Sequence, residues 1–239
     1  MYGLRSWLEI KGQIVYINAK FENHDFIAVY PEIYNGNEAG ADTVVRYILQ
    51  TPGLMSSYGI PSPTTEEYRS NPIYKNDHFY VFSKIYDTFG VGDDRLLFLP
   101  ILNLHIFKNS VKKRTKTCYL VGKGVNQHKH PQDAVELTRE FAKDQVALAN
   151  LLNECHTLYC YDRLSAMMDI ARLCGCKVRY YGDFDKKDLE KYETGMNGLT
   201  YRDEEEVDLR SYIFRCEYEQ MRNVFSKKLD KFIEYTQEN

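Results

Sequence analysis

Short apolar runs closed by proline, glycine or a polar turn recur along this chain, most of them followed by a stretch with helical spacing. Phe26–Tyr30 is a continuous apolar run stopped by Pro31, the pattern of a strand buried on both faces. The polar, glycine-bearing loop 32–40 follows. Asp42 is a good helix-capping residue ahead of Val44, Val45, Ile48 and Leu49, so a helix is expected there, ended by Thr51-Pro52-Gly53. Residues 56–76, dense in Ser, Pro, Thr and Tyr, read as an irregular loop. Strands are predicted at Phe79–Phe82 and Leu96–Leu99, the second closed by Pro100, and a domain boundary at 100–112. Beyond it the pattern predicts a strand at Cys118–Val121, a helix over 143–153 and a strand at Thr157–Tyr161. A helix over 165–174, stopped by Gly175, and a strand at 177–181 complete the series. Alternating strands and helices imply parallel α/β layers. The tail 207–235 contains no Gly or Pro and reads as one or two helices.

Composition narrows the classes. With 44% hydrophobic and 27% charged residues in 239, the chain has ample apolar material for a core. No apolar run reaches the roughly 20 residues of a membrane span, and no basic-then-apolar leader opens the chain, so a cytoplasmic protein with at most peripheral membrane contact is expected. Thirty-one basic against 34 acidic residues give a net charge of −3, which supplies no electrostatic reason to expect nucleic acid as a partner. The six cysteines read as reduced, buried small hydrophobes.

Two turns carry candidate chemistry. In Tyr159-Cys-Tyr-Asp-Arg-Leu-Ser-Ala-Met-Met-Asp-Ile-Ala-Arg-Leu-Cys-Gly-Cys176 a strand ends, the chain turns through Asp162, and Ser165 caps a helix. Partnerless amides at such a helix start, placed past the carboxyl end of a parallel strand, favour an anionic oxygen. In Leu120-Val-Gly-Lys-Gly-Val-Asn-Gln-His-Lys129, Gly122 and Gly124 permit close backbone approach, and Lys123 and Lys129 can neutralise a diphosphate. The second turn is neither a P-loop nor a dinucleotide fingerprint. Other chemistries lack their patterns. His128, His130, His156, Cys174 and Cys176 fit no common zinc spacing, no Gly-x-Ser-x-Gly elbow occurs, and Asp183, Asp185 and Asp188 lack the glycine and glutamate of a calcium loop.

Taken together, these turns resemble those of GT-B glycosyltransferases, in particular bacterial enzymes of surface-polysaccharide assembly. Gly122-Lys123 with Lys129 resembles the Gly-Arg turn and following lysine that open the family's C-terminal domain. Asp162, Ser165-Ala166 and Cys174-Gly175 match a later signature in order and spacing. Val29-Tyr-Pro-Glu-Ile33, Gly36-Asn37 and Val44–Leu49 through Pro52-Gly53 are similar to the subgroup's first domain, so the resemblance runs, with gaps, from Phe26 to the acidic turn 203–206. Two departures stand out. The family's second acid, which binds the nucleotide ribose, falls at Ile170, with Asp169 adjacent. Leu4–Leu8, followed by Gly12, resembles the first helix of the N-terminal domain, implying that the strand and glycine loop ahead of it lie outside the chain.

The resemblance implies an α/β fold of two Rossmann-like domains with a cleft between them: a shortened N-terminal domain (1–100) and a nucleotide-sugar-binding C-terminal domain (101–239) with a helical tail. It implies glycosyl transfer from a nucleotide-sugar to a glycan or lipid-linked acceptor, without a metal. The donor-side residues are Lys123, Gly124, Lys129, Asp162, Ser165, Ala166 and Asp169. Glu32 is a catalytic candidate with Asp162, and Asn37 and Glu38 stand on the acceptor side. A non-catalytic remnant of the same fold, or a sugar-nucleotide epimerase, are the alternatives. Helical geometry also predicts that Ile170, in the apolar stripe with Met167, Ala171 and Cys174, is buried and that Asp169 is exposed.

Overall fold

A computed structural model describes residues 4–10, 13–19, 26–110 and 113–237 of the chain. It is an α/β protein with parallel sheets and a long C-terminal helix, a Rossmann-like arrangement in general terms. The chain divides into two compact units, Met1–Phe98 with Ser226–Asn239, and Leu99–Phe225.

The first unit begins with an antiparallel ribbon, β1 (Leu4–Ile10) and β2 (Gln13–Ala19), registered from Leu4 opposite Ala19 to Ile10 opposite Gln13. The helix expected at Leu4–Leu8 is thus a strand. Ile14-Val15-Tyr16-Ile17 on its partner are β-branched or aromatic residues, which favour an extended backbone, and pairing satisfies the N–H and C=O groups of both segments. A three-stranded parallel sheet follows, β3 (Ile27–Pro31), β4 (Thr43–Ile48) and β5 (His78–Val81), in that order. β4 replaces the helix expected from Asp42. Val44, Val45, Arg46 and Ile48 are all buried, because β4 is the central strand and both its faces are covered; a near-continuous apolar run then mimics helical spacing. The stretch 56–76 is not irregular. It holds α1 (Thr65–Ser70), started by a capping box in which Thr64 and Glu67 each receive the other's backbone N–H, and short 3-10 turns at 54–58 and 72–74. Leu96–Leu99 forms only a single bridge, Leu96 with Val81.

Arg46 ties this unit together from β4. Its guanidinium is buried, pairs with Asp77 at 2.6 Å, donates to the carbonyls of Tyr34 (2.9 Å) and Gly36 (2.6 Å), and lies between the rings of Tyr30 and Tyr74.

The second unit is a five-stranded parallel sheet of β6 (Lys116–Leu120), β7 (Val135–Glu136), β8 (Cys155–Cys160), β9 (Lys177–Tyr180) and β10 (Leu199–Tyr201), ordered β10-β9-β8-β6-β7. α2 (Arg139–Lys143) and α3 (Gln145–Glu154) lead into β8, α4 (Ala166–Leu173) joins β8 to β9, and α5 (Lys186–Leu189) joins β9 to β10. From β7 onward the chain steps across the sheet in one direction, so right-handed crossovers put α3, α4 and α5 on one face. Cys118, Leu158, Cys160, Val178 and Tyr180 are buried at alternate positions of the strands, while Tyr119, Tyr159 and Arg179 between them stay half-buried. The step from β6 to β7 runs the opposite way, so its connection, 121–134, crosses the other face. α6 (Ser211–Gln237) is one helix, whose residues through Phe225 belong to the second unit and those from Ser226 to the first.

Candidate functional site

The reversal of winding between β6 and β8 makes a topological switch point, and the turns that leave these two strands diverge there. Both turns singled out in the sequence sit at this place, and they interlock. Asp162 Oδ1 accepts the backbone N–H groups of Lys123 (3.1 Å) and Arg163 (2.9 Å), so one carboxylate orders both turns. Gly122 has φ +56°, and a side chain there would collide with the Asp162 carboxylate; one at Gly124 would collide with the Tyr161 carbonyl. Glycine therefore leaves room for the Asp162 side chain at 122 and for the close approach of two backbones at 124. The Gly124 N–H is taken by the Val121 carbonyl at 2.9 Å and that of Lys123 by Asp162, so these two amides are engaged within the turns.

The rest of the β6–β7 connection folds down on the strand ends. The Tyr161 oxygen receives the N–H groups of Lys129 (2.9 Å) and His130 (3.2 Å) and lies 2.8 Å from His130 Nδ1. With two donors aimed at the oxygen, the Tyr161 O–H points to Nδ1, an assignment that leaves the imidazole neutral with its proton on Nε2. The His130 ring stacks on Tyr119, centroids 3.8 Å apart. Burial, with the neighbouring His128, holds its pKa below the ordinary histidine value. Gln127 Nε2 donates to the Tyr181 carbonyl (2.9 Å), and Tyr181 donates from its hydroxyl to Asp203 (2.7 Å), which stands 3.8 Å from Lys129 Nζ. Among the described residues, the two non-glycine positions with positive φ, His128 (51°) and Arg202 (50°), both lie at this end of the sheet. Strain of that kind persists where surrounding contacts over-determine the backbone, and it concentrates at ligand sites.

The interlocked turns bring Lys123 to Asp162, in the turn that leads into Ser165 and Ala166, while Lys129 is held by its N–H bond to Tyr161 with its Nζ 3.8 Å from Asp203. Lys123, Lys129 and Ala166 are exposed, and Ser165 caps α4 by accepting the Met167 N–H at 3.3 Å. Asp169 is not among them, and the expectation that it is exposed is wrong. Ile170 is buried, as its stripe predicts, but Asp169 is buried too, at 2% exposure. Its carboxylate pairs with Arg172 at 2.5 Å and accepts from Tyr192 (2.8 Å) and Thr194 (2.9 Å). Arg172 reaches on to the carbonyls of Thr194, Gly195 and Asn197 and lies 4.2 Å from the Phe214 ring centroid. All seven residues from Met167 to Leu173 are buried, so α4 has no solvent face for Asp169 to occupy.

The three first-unit candidates also hold structure in place. Glu32 is 2% exposed, its Oε2 accepts the Leu49 N–H at 2.9 Å, and its own carbonyl accepts from the Tyr68 hydroxyl. Expected as a catalytic candidate facing the cleft, it is a buried tie at the end of β3. Asn37 closes its own loop on both polar groups of Ala41, at 2.8 and 3.1 Å. Glu38 is exposed and accepts from the Tyr34 hydroxyl at 2.6 Å, a bond that heads the causes pushing the Tyr34 pKa up to about 12.

Sequence reasoning missed Tyr161, His130, Tyr181 and Asp203. A signal was present: Tyr159, Tyr161, Arg179 and Tyr181 alternate on the ends of predicted strands, on the face opposite the apolar positions. Among the described residues no group of three or more His, Cys, Asp or Glu is arranged to hold a metal, and no helix is long and apolar enough to cross a membrane. Comparisons of the chain with protein-family models, with curated proteins and with solved structures return no match.

Proposed function

We propose that the second unit binds a nucleoside-diphosphate sugar at the switch point, and that the protein is a glycosyltransferase of GT-B type, its two units corresponding to that fold's two Rossmann-like domains. The observation that carries this reading is the locking of the Gly122-Lys123-Gly124 turn to Asp162, which ties the turn of an exposed lysine to the turn that leads into α4. The diphosphate is the leaving group of glycosyl transfer. Lys123 and Lys129 offset the charge that develops on it as the sugar–oxygen bond breaks, and the first-turn amides of α4 add the positive end of the helix dipole. Asp162 acts by positioning the turns. The acceptor is a glycan or a lipid-linked glycan.

Binding of uridine, guanosine and cytidine diphosphates, measured by calorimetry, tests the donor site. A Lys123→Ala, Lys129→Ala double variant loses at least about tenfold in affinity, since each charge-assisted hydrogen bond is worth about 1.5–3 kcal/mol. Unchanged affinity in a folded double variant rejects the assignment. Acceptor-dependent release of the nucleotide tests transfer itself, whereas donor isomerisation without acceptor identifies an epimerase.

A second reading, a nucleotide-binding protein without turnover, is favoured by α4. Asp169 is engaged inside the unit and Ile170 is buried, so neither presents a carboxylate for a ribose. That predicts millimolar affinity, equivalent to about 4 kcal/mol.

A further inference from the structure

We infer that the first unit carries a separate ligand site, an open cavity of about 720 Å³ between α1, the 72–74 turn and the loop 87–95, and that it takes a phosphorylated ring. Four aromatic residues line it, Tyr68, Tyr74, Phe79 and Phe89. Phe79 and Phe89 stack at 4.5 Å, and both meet the ring of Tyr68 edge-on. Three cations stand around it, Arg69, Lys75 and Arg95, and among the described residues no carboxylate lines it. Apolar rings beside a threefold positive rim match a ligand that has a ring to stack and a dianion to neutralise.

Acids close to the cavity are engaged elsewhere. Asp87 turns its carboxylate into its own loop, where Oδ1 accepts the N–H groups of Phe89 (3.2 Å), Gly90 (2.8 Å) and Val91 (3.1 Å). Asp77 is paired with Arg46, and Asp93 with Lys84 at 2.8 Å. These three carboxylates are therefore not the partners of the rim cations.

The walls are also fixed in advance. Asp87 holds the loop, the hydroxyls of Thr65 and Thr88 meet at 2.6 Å, and Arg69 donates to the Thr88 carbonyl at 2.9 Å. Arg95 gives one donor to the Tyr235 hydroxyl (2.9 Å) and is steadied against the rings of Tyr80 and Tyr235, which leaves most of its five-donor fork for a ligand. Lys75 is exposed and makes no ion pair among the described residues. A cavity ordered before binding spends little of its interaction energy on organising itself.

Calorimetric titration of the full chain with phenyl phosphate, glucose 1-phosphate and inorganic phosphate tests the site. At least one ring phosphate is expected to bind tenfold or more tightly than inorganic phosphate, and the preferred ring tells an aromatic ligand from a carbohydrate one. Lys75→Glu, a change on an exposed side chain, is expected to cost the ring phosphate tenfold or more with the melting temperature unchanged. Lys75→Met gives a smaller loss. The Lys123→Ala, Lys129→Ala variant serves as the control that separates this site from the donor site, and it leaves ring-phosphate binding intact. Equal affinity for inorganic phosphate overturns the inference, as do absence of ring-phosphate binding, indifference to Lys75→Glu, and loss of binding in the double-lysine variant.

Discussion

Replacing Asp169 with alanine distinguishes a structural carboxylate from a ligand-binding one. Arg172 has no exposed surface, so deletion of Asp169 strands a buried guanidinium, and removing one member of a buried pair costs about 3–5 kcal/mol. Two further effects act in opposite directions. The hydroxyls of Tyr192 and Thr194 lose their acceptor, whereas three carbonyls and the Phe214 ring continue to face Arg172. We expect a loss of about 4 kcal/mol, which at a urea slope of about 2 kcal/mol per M lowers the midpoint by about 2 M. The shift should appear in the circular-dichroism transition. Asp169→Asn, which keeps the volume and part of the hydrogen bonding, falls between the variant and wild type. Asp169→Leu combined with Arg172→Met recovers most of the loss, because a well-packed apolar pair is no worse than a buried ion pair. A dichroism midpoint that stays put in Asp169→Ala, together with lost nucleotide affinity, would refute this placement and return Asp169 to the ribose.

Three further outcomes are expected. Arg46→Lys cannot reach Asp77, Tyr34 and Gly36 at once, so it should destabilise the first unit by about 1.5–3 kcal/mol in chemical denaturation, while an unchanged midpoint would show the fork to be dispensable. A thiol reagent should titrate one of the six cysteines in the native protein, the half-exposed Cys216, and all six in denaturant; burial covers the other five and pushes the Cys160 and Cys174 thiols up to about 12. His130 and His78 both have pKa values lowered chiefly by burial, so the unfolded chain binds more protons than the fold just below the ordinary histidine pKa of about 6.5. Their contribution is complete above that pH and is lost as the pH falls through the two native values; nuclear magnetic resonance titration of the ring protons showing ordinary or raised values would reverse the sign.

How far the fold could be read depended on how each segment is covered. β8, α4 and β9 emerge close to their expected bounds because strand and helix differ there in period and are separated by caps and glycine, Ser165 at one end and Gly175 at the other. β4 does not, since a strand buried on both faces loses its two-residue alternation, and Asp42 reads as a cap whatever follows. Asp169 failed for the same physical reason in a helix. An angle of 100° separates it from Ile170, but that angle places a residue in solvent only where solvent reaches the helix, and on α4 it does not. At the candidate site, residues consecutive in sequence were legible and those assembled from separate strands were not. Gly122-Lys123-Gly124 and Asp162–Ala166 stand out as turns, whereas the Tyr161–His130 contact joins residues 31 apart and exists only because the β6–β7 connection folds back over β8.

That connection is the structural reason for placing the site in the second unit. All the helices between β7 and β10 lie on one face, so the other face is left to a segment with no helix among its described residues, 121–134. A loop in that position must satisfy its own backbone groups, and this one does so with side chains from the strand ends beneath it. Tyr161 takes two of its N–H groups, and the Gln127 side chain in turn donates to the Tyr181 carbonyl. The same contacts hold Lys129 near Asp203 and His128 in a left-handed conformation, at the strand termini where Asp162 holds Lys123. Anchoring and strain coincide with the two exposed cations. Connecting β6 to β7 requires the anchoring but not the left-handed His128, and the proposed function joins that strain with the lysines in one ligand site.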